Sequence, residues 1–466
     1  MADQCRNLVV LGADPAFCAG GGPPIQIGAA SDSERCAGDL AESTFRWGLC
    51  PCDGITTNNP FSVDAYDSTI GPYTPGGPGG GAGTNGAINA NEAVSVTGTL
   101  WAAANAGVRV NDDAAIGQRL YSGGVVNLKR AAVGDNAYVV GNINVDRLSV
   151  ERTLHVSPNT TLNGNVSYQN LVTAALQVGR ACTACTAEER IDVAGIVAAH
   201  RGQNNDNALI GLDPGALSGS AGNVRLELPC GQYYLNAINV SGPTTIVAKG
   251  NTVLYIDGNV SANNELTITL APNAHFDVFV AGNVTLNNPF RLGSPNYPAL
   301  MRLYLGGANG FTTNNEIQIG GYIYAVPGGI TTNNEIEVYG GLYSQNFNSN
   351  NEISIHYDRG VATVGRHCPD DEPIDPIDPN DPDAGSDIDG SDPDAGTNPN
   401  PDPVCRSTNA VCSSDGDCCS PLLCHEGVCA LLACQPAFGP CTQNANCCSN
   451  LCAVPSGGGQ GACIVN

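Results

Sequence analysis

Between Gly250 and Tyr357 one phrase recurs: NNELTI from Asn263, NNPFRL from Asn287, NNEIQI from Asn314, NNEIEV from Asn333 and NNEISI from Asn350. Each copy is an Asn pair followed by an alternating apolar run, and the starts lie 24, 27, 19 and 17 residues apart. Gly-led runs fill the gaps, among them GNVSA from Gly258, GNVTL from Gly282, GYIYAV from Gly321 and GLYSQ from Gly341. Alternation at period two describes a strand with one buried face. Repetition every coil-length, with Gly and Asn at the corners, describes strands that stack on their own predecessors. The expected fold is mainly β, a right-handed parallel β-solenoid with a small helical insertion, followed by two small disulfide-rich modules.

The Asn pairs have a mechanical use in such a fold, since Asn tolerates left-handed turn backbone and its amides hydrogen-bond up a ladder. Four glutamates, Glu265, Glu316, Glu335 and Glu352, recur with the pairs. Neighbouring coils lie about 4.8 Å apart, so these carboxylates would have the close spacing that glycoside hydrolysis needs. Periodic carboxylates are more often a solvated ladder, whereas catalytic groups tend to be singular. Too few TTNN repeats (Thr56, Thr312, Thr331) occur, too irregularly spaced, for an ice-binding array.

Gly54 opens GITTNNPFSV, which resembles the later turns, so the coil series is expected to run over 54–368. Residues 1–53 hold Cys5, Cys18, Cys36, Cys50 and Cys52 and read as a disulfide-stapled cap over the first coil, with a short helix between Ser33 and Gly48. GPYTPGGPGGGAGTNG (71–86) reads as a loop too poor in side chains to pack. Residues 182–223 break the β pattern. Thr186 and Glu189 form a capping box, Ile191, Ala194 and Ala198 an apolar stripe, and Gly202 a stop, so a helix packed on the side of the solenoid is expected.

Charge narrows the partners. The chain has 19 Lys plus Arg against 44 Asp plus Glu, formally −25, which disfavours nucleic acid and anionic membranes. Twelve of the acids fall in 369–403, an Asp/Pro-rich stretch without Lys or Arg that reads as a disordered, extended linker. No run of about 18 apolar residues exists to span a bilayer as a helix. Twenty-one cysteines indicate an oxidising compartment, extracellular or cell-surface. The N-terminus MADQCRNLVV has no signal-peptide pattern, so an export signal is expected upstream.

Catalytic, cofactor and metal motifs are not found. Cys182 and Cys185 at a predicted helix start have redox spacing, but no thioredoxin-like context surrounds them. Structural bridging of Cys182, Cys185 and Cys230 is the expectation. The six histidines lack metal-ligand spacing, and no G-x-S-x-G, phosphate-loop or dinucleotide fingerprint occurs. Five N-x-S/T sequons (Asn159, Asn165, Asn239, Asn259, Asn283) mostly fall in Gly-Asn-Val turns.

After the linker the cysteines turn regular. Cys405, Cys412, Cys418, Cys419, Cys424 and Cys429 read C-x6-C-x5-CC-x4-C-x4-C. Cys434, Cys441, Cys447, Cys448, Cys452 and Cys463 read C-x6-C-x5-CC-x3-C-x10-C. Segments this small need disulfides in place of a core, and six cysteines allow fifteen pairings. The shared spacing resembles the inhibitor cystine-knot (knottin) family over 404–430 and 431–466. That resemblance implies Cys405–Cys419, Cys412–Cys424 and Cys418–Cys429, then Cys434–Cys448, Cys441–Cys452 and Cys447–Cys463. Arg406 is the only basic residue after the linker, against the basic surfaces of channel-blocking and trypsin-inhibiting knottins.

The whole layout is similar to exported proteins of deltaproteobacteria such as myxobacteria. LCPCDGI (49–55), IDVAGIVAAH (191–200) and LPCGQYYL (228–235) resemble an uncharacterised bacterial domain of surface and pilus-associated proteins, over about 50–365. The expected function is a non-enzymatic structural or adhesion-type binding protein whose partner is an envelope glycan or another surface protein. The alternatives are a secreted polysaccharide-degrading β-helix, and knottin toxin or inhibitor modules carried by a solenoid.

Overall fold

The computed structural model describes residues 35–365 apart from 203, 221 and 316, residue 18, and strands at 6–8, 26–27, 423–425, 428–430, 440–441, 452–453 and 461–463. The linker, and the knottin pairings expected after it, lie outside the described residues. The chain divides into two units, Met1–Asp371 and Glu372–Asn466. In the second unit, described backbone pairs antiparallel at Leu423–His425 with Val428–Ala430, and Gly461–Cys463 pairs with both Pro440–Cys441 and Cys452–Ala453.

The first unit is a parallel β-solenoid of about 14 turns, with 35 strands hydrogen-bonded in one continuous set. Each coil has three faces. The first carries short strands such as Ile238–Val240, Ile330–Thr332 and Gly54–Thr57. The second carries strands such as Thr244–Ala248 and Phe61–Tyr66, and the third Thr252–Ile256, Leu49–Pro51 and Leu100–Ala102. Every second residue points inward, and register makes these into columns. On the first face Val284 pairs with Phe311, Phe311 with Ile330, Ile330 with Phe347, Phe347 with Ile55, and Ile55 with Ile88. Each such Ile, Val or Phe, fully buried, contributes about 1.5–3 kcal/mol.

The coils do not follow chain order. Strands 49–66 pair on one side with 342–358, the last coil of the repeat, and on the other with 82–96. The chain therefore enters the solenoid in its middle and winds to Thr173 at one end. It then returns along the side through 174–217, restarts at the opposite end at Ser218, and winds back to the seam at Asp358. The coil at Gly54 is interior, not the terminal coil implied by a cap at 1–53. The N-terminal segment instead reaches the far end, where Arg6–Leu8 pairs with Val224–Leu226 and Cys18 bonds Cys230.

The asparagine ladder crosses the seam unbroken. Asn314 donates to the Asn287 amide oxygen, Asn333 to Asn314, Asn350 to Asn333, Asn58 to Asn350, Asn91 to Asn58 and Asn111 to Asn91, at 2.8–3.0 Å. The second Asn of each pair donates to the preceding coil's backbone: Asn315 to Asn287, Asn334 to Asn314, Asn351 to Asn333 and Asn59 to Asn350.

Both expected helices form, within their expected spans but shorter. The first runs Ala37–Thr44 with Cys36 as N-cap, and Phe45 beyond it packs 4.9 Å from Tyr322 on the solenoid side. The second is only Val193–Ala199. Its N-cap is Asp192, whose carboxylate accepts from the Gly195 N–H, while Glu189 of the expected capping box pairs with Arg180. The reason is anchorage: Cys182 and Cys185 are bonded to Cys50 and Cys52, and the Ile191 N–H donates to the Tyr324 hydroxyl. The buried stripe is Val193 and Val197, whereas Ala194 and Ala198 face solvent. The Gly/Pro loop also packs, through Tyr73, whose ring lies 4.1 Å from His356.

Candidate functional site

On the third face the outward side chains form one column along the solenoid. Tyr234 pairs in register with Tyr255, then Phe279, Tyr304, Tyr324, Tyr343 and Cys50. Beyond Gly83 it resumes as Trp101, Tyr121, Tyr138, His155 and Val172. A strand's outward residues normally meet water, so an aromatic column there needs a cover or presents a surface.

The first half is covered by the chain's own side segment. Val193 and Val197 share an apolar cluster with Tyr255, Phe279, Tyr304 and Tyr324, and the His200 ring stacks 3.9 Å from Tyr255. Burial pushes the Tyr324 hydroxyl up to about 12, so it stays protonated beneath the segment. Burial also lowers the His200 imidazole, partly countered by its bond to the Asn204 carbonyl.

The second half stays half-exposed. Trp101 stacks on Tyr121 at 4.0 Å, Tyr121 on Tyr138 at 4.7 Å and Tyr138 on His155 at 4.4 Å. Trp47 meets Trp101 edge-on at 6.2 Å, and the two indole N–H groups donate to the carbonyls of Ala181 and Gly179. Where covered column gives way to open column lies a cavity of about 330 Å³, lined by Arg46, Trp47, Trp101, Arg180 and Tyr343 among others. Gly83 makes the crossing possible: a Cβ there would stand 2.9 Å from the Ala181 Cβ. Arg46 is exposed, and Arg180 is held by both oxygens of Glu189 at 2.7 and 2.8 Å. A row of half-exposed ring edges beside the Arg46 guanidinium suits a polar ligand, neutral or anionic.

A second constellation sits at the seam. His356 Nδ1 donates to Asp64 Oδ1 at 2.7 Å, and Asp64 Oδ2 accepts from the Tyr73 hydroxyl and the Gly76 N–H, each at 2.7 Å. His356 Nε2 is 3.6 Å from Glu337, which accepts from Tyr339. Burial works against the Asp64 carboxylate, but the bonds from His356, Gly76 and Tyr73 outweigh it and hold the group below its ordinary range. These carboxylates are singular, unlike the repeated glutamates. Glu265, Glu335 and Glu352 lie exposed at the corner between the first and second faces, and Glu316 lies outside the described residues.

Cys182, Cys185 and Cys230 are all bridged, to Cys50, Cys52 and Cys18 in that order, and not to one another. Among the described residues no group of three His, Cys, Asp or Glu is placed to hold a metal, and no helix is long and apolar enough to cross a membrane. The sequence reading missed the aromatic column. Its signal was present as aromatic residues at 101, 121 and 138 and again at 304, 324 and 343, recurring at the coil period.

Residues 189–364 match the sequence model of a family described as a domain of unknown function (DUF7305). The match takes in the covering helix and the coils from Ser218 to the seam, and leaves out the half that carries the open column. It is thus shorter than the resemblance over about 50–365 expected from the sequence. No curated protein and no solved structure matches the chain.

Proposed function

We propose that this chain is a non-enzymatic, exported surface or extracellular binding protein that lays a glycan along the open aromatic column. The observation that carries the reading is the contrast within one column: its first half is sheathed by the chain's own segment, its second half is built alike and left for a partner. The rings stack face to face on one another, so the column presents ring edges and tyrosine hydroxyls, one set per coil, a repeat that matches an extended chain better than a compact ligand. Arg46, exposed at the cavity, favours acidic sugars, the kind of partner a chain of net charge −25 would otherwise repel. Within this reading the source is a bacterium of the myxobacterial type. The Asp/Pro stretch is a tether, and 404–430 and 431–466 are knottin-like modules displayed on it.

Affinity electrophoresis against a polysaccharide panel tests it. The full chain should be retarded by at least one acidic polymer, and Trp101→Ala or Tyr138→Ala should weaken that at least about tenfold, roughly 1.4 kcal/mol. Equal retardation of wild type and both variants would remove the column from the account.

One observation favours a second reading, a polysaccharide-degrading enzyme: Asp64, His356 and Glu337 are the non-repeating acid and base groups such an activity requires. Glu337→Gln would then abolish depolymerisation while leaving retardation in the gel unchanged.

A further inference from the structure

The two ends of the solenoid are finished differently. At the end where the coils restart, two of the three faces and the core have covers among the described residues. Arg6–Leu8 pairs with the edge of Val224–Leu228. Asp206 accepts from the Gln232 N–H, and Asn207 both donates to the Tyr234 carbonyl and accepts from its N–H, so side chains stand in for a neighbouring strand. Ile210, Leu212 and Leu217, buried to 4%, 4% and 0%, plug the core there.

At the other end nothing comparable is described. Leu162–Ser167 and Asn170–Thr173 each have a paired strand on one side only. Among the described residues five large apolar side chains are exposed, and three of them, Tyr168, Leu171 and Val172 at 37%, 43% and 41%, cluster here. An uncovered strand edge is a template for another, and proteins usually blunt one with Lys, Pro or a cap. This edge lacks charge altogether: from Thr153 to Gly179 there is no Asp, Glu, Lys or Arg, in a chain with 63 of them.

We infer that a second copy of this chain covers this end, joining two solenoids edge to edge in a closed two-fold dimer. The outline decides the occupant. An end of the same triangular section meets all three uncovered faces at once. Two-fold symmetry sets each edge strand antiparallel to its counterpart, where both supply free N–H and C=O groups. Neutrality then matters, because two bodies each carrying −25 can approach only where neither presents charge. Because the opposite end is already occupied by the chain's own segments, assembly stops at two.

Sedimentation equilibrium of the full chain, from micromolar concentration upward, tests this. Wild type should sediment as a dimer. Leu171→Asp with Val172→Asp should weaken association at least about tenfold, with unchanged circular dichroism. Leu209→Asp, a still more exposed site at the covered end, should leave it unchanged. Thr173→Pro supplies a second, uncharged disruption: the Asn170 and Ala174 N–H groups bond back to the carbonyls of Arg152 and Val156, so by alternation the Thr173 N–H lies on the unpaired side of its strand. A wild-type monomer throughout would overturn the inference, as would open-ended growth with concentration. So would protection of the 162–173 amides from hydrogen exchange in a monomer, which would mean that the chain's own remaining residues cover the edge.

Discussion

Single residues divide into those that repeat and those that do not. The asparagines were legible because a ladder needs the same residue at the same corner of every coil, and Asn58, Asn333 and Asn350 supply it. Asp64 and His356 were not legible, since they lie 292 positions apart and meet only at the seam. The buried Arg302–Asp277 pair, 2.8 Å apart in adjacent coils and 25 positions apart in the chain, was missed for a different reason: it occurs once and has no periodic copy. The Asp64 bonds predict a pH dependence with a definite sign. Its carboxyl lies below the unfolded value of about 3.9, so the stabilisation is fully present above that pH and fades as pH falls through the lower folded value. Asp64→Asn should therefore melt below wild type at pH 7, by the equivalent of about 2 kcal/mol. The gap should narrow as pH falls below the unfolded value and vanish below the lower folded one; a constant gap in calorimetry would contradict the charge-based account.

At the scale of elements, the strands and the presence of both helices were readable, and the helix ends were not. A strand in a stack is specified by its own alternation, so ITT after Gly329 and after Gly54 was read alike and stands alike. The helix of the side segment was overestimated because two disulfides and the Tyr324 contact fix 182–191 before helical propensity can act. Those bridges should behave as one clamp. Cys50–Cys182 closes a loop of 132 positions; once it exists, Cys52–Cys185 adds only a small ring. On chain entropy, Ser replacement of either pair alone should cost little, and replacement of both about 5 kcal/mol. Urea denaturation of the three variants checks this, and additive losses would mean that each bridge acts independently.

For the whole molecule, the order of coils is the main correction. The seam buries Phe347 against Ile55 and Ile355 against Val63, contacts between segments nearly 300 residues apart in the chain. Residues 189–365 expressed alone would expose the edge of 336–358 and should aggregate or exchange rapidly there. Mixed with a separately produced 1–181, they should reassociate and recover amide protection over 49–66 and 342–358 by hydrogen exchange. Full protection of 342–358 in the lone fragment would contradict the stacking order.

The sequence by itself determined that this chain stacks parallel coils, with Asn at the corners and alternate Ile, Val and Leu inside, because those requirements are local and recur every coil. Only the tertiary structure decided where the chain enters the stack. It also decided which half of the aromatic column is sheathed and which end is left open. Every coil edge offers much the same hydrogen bonds to any other, so local pattern cannot rank the neighbours. The choice falls to contacts made once: the Cys50 and Cys52 bridges, the Asp64–His356 bond and the side segment laid over Tyr255 to Tyr324.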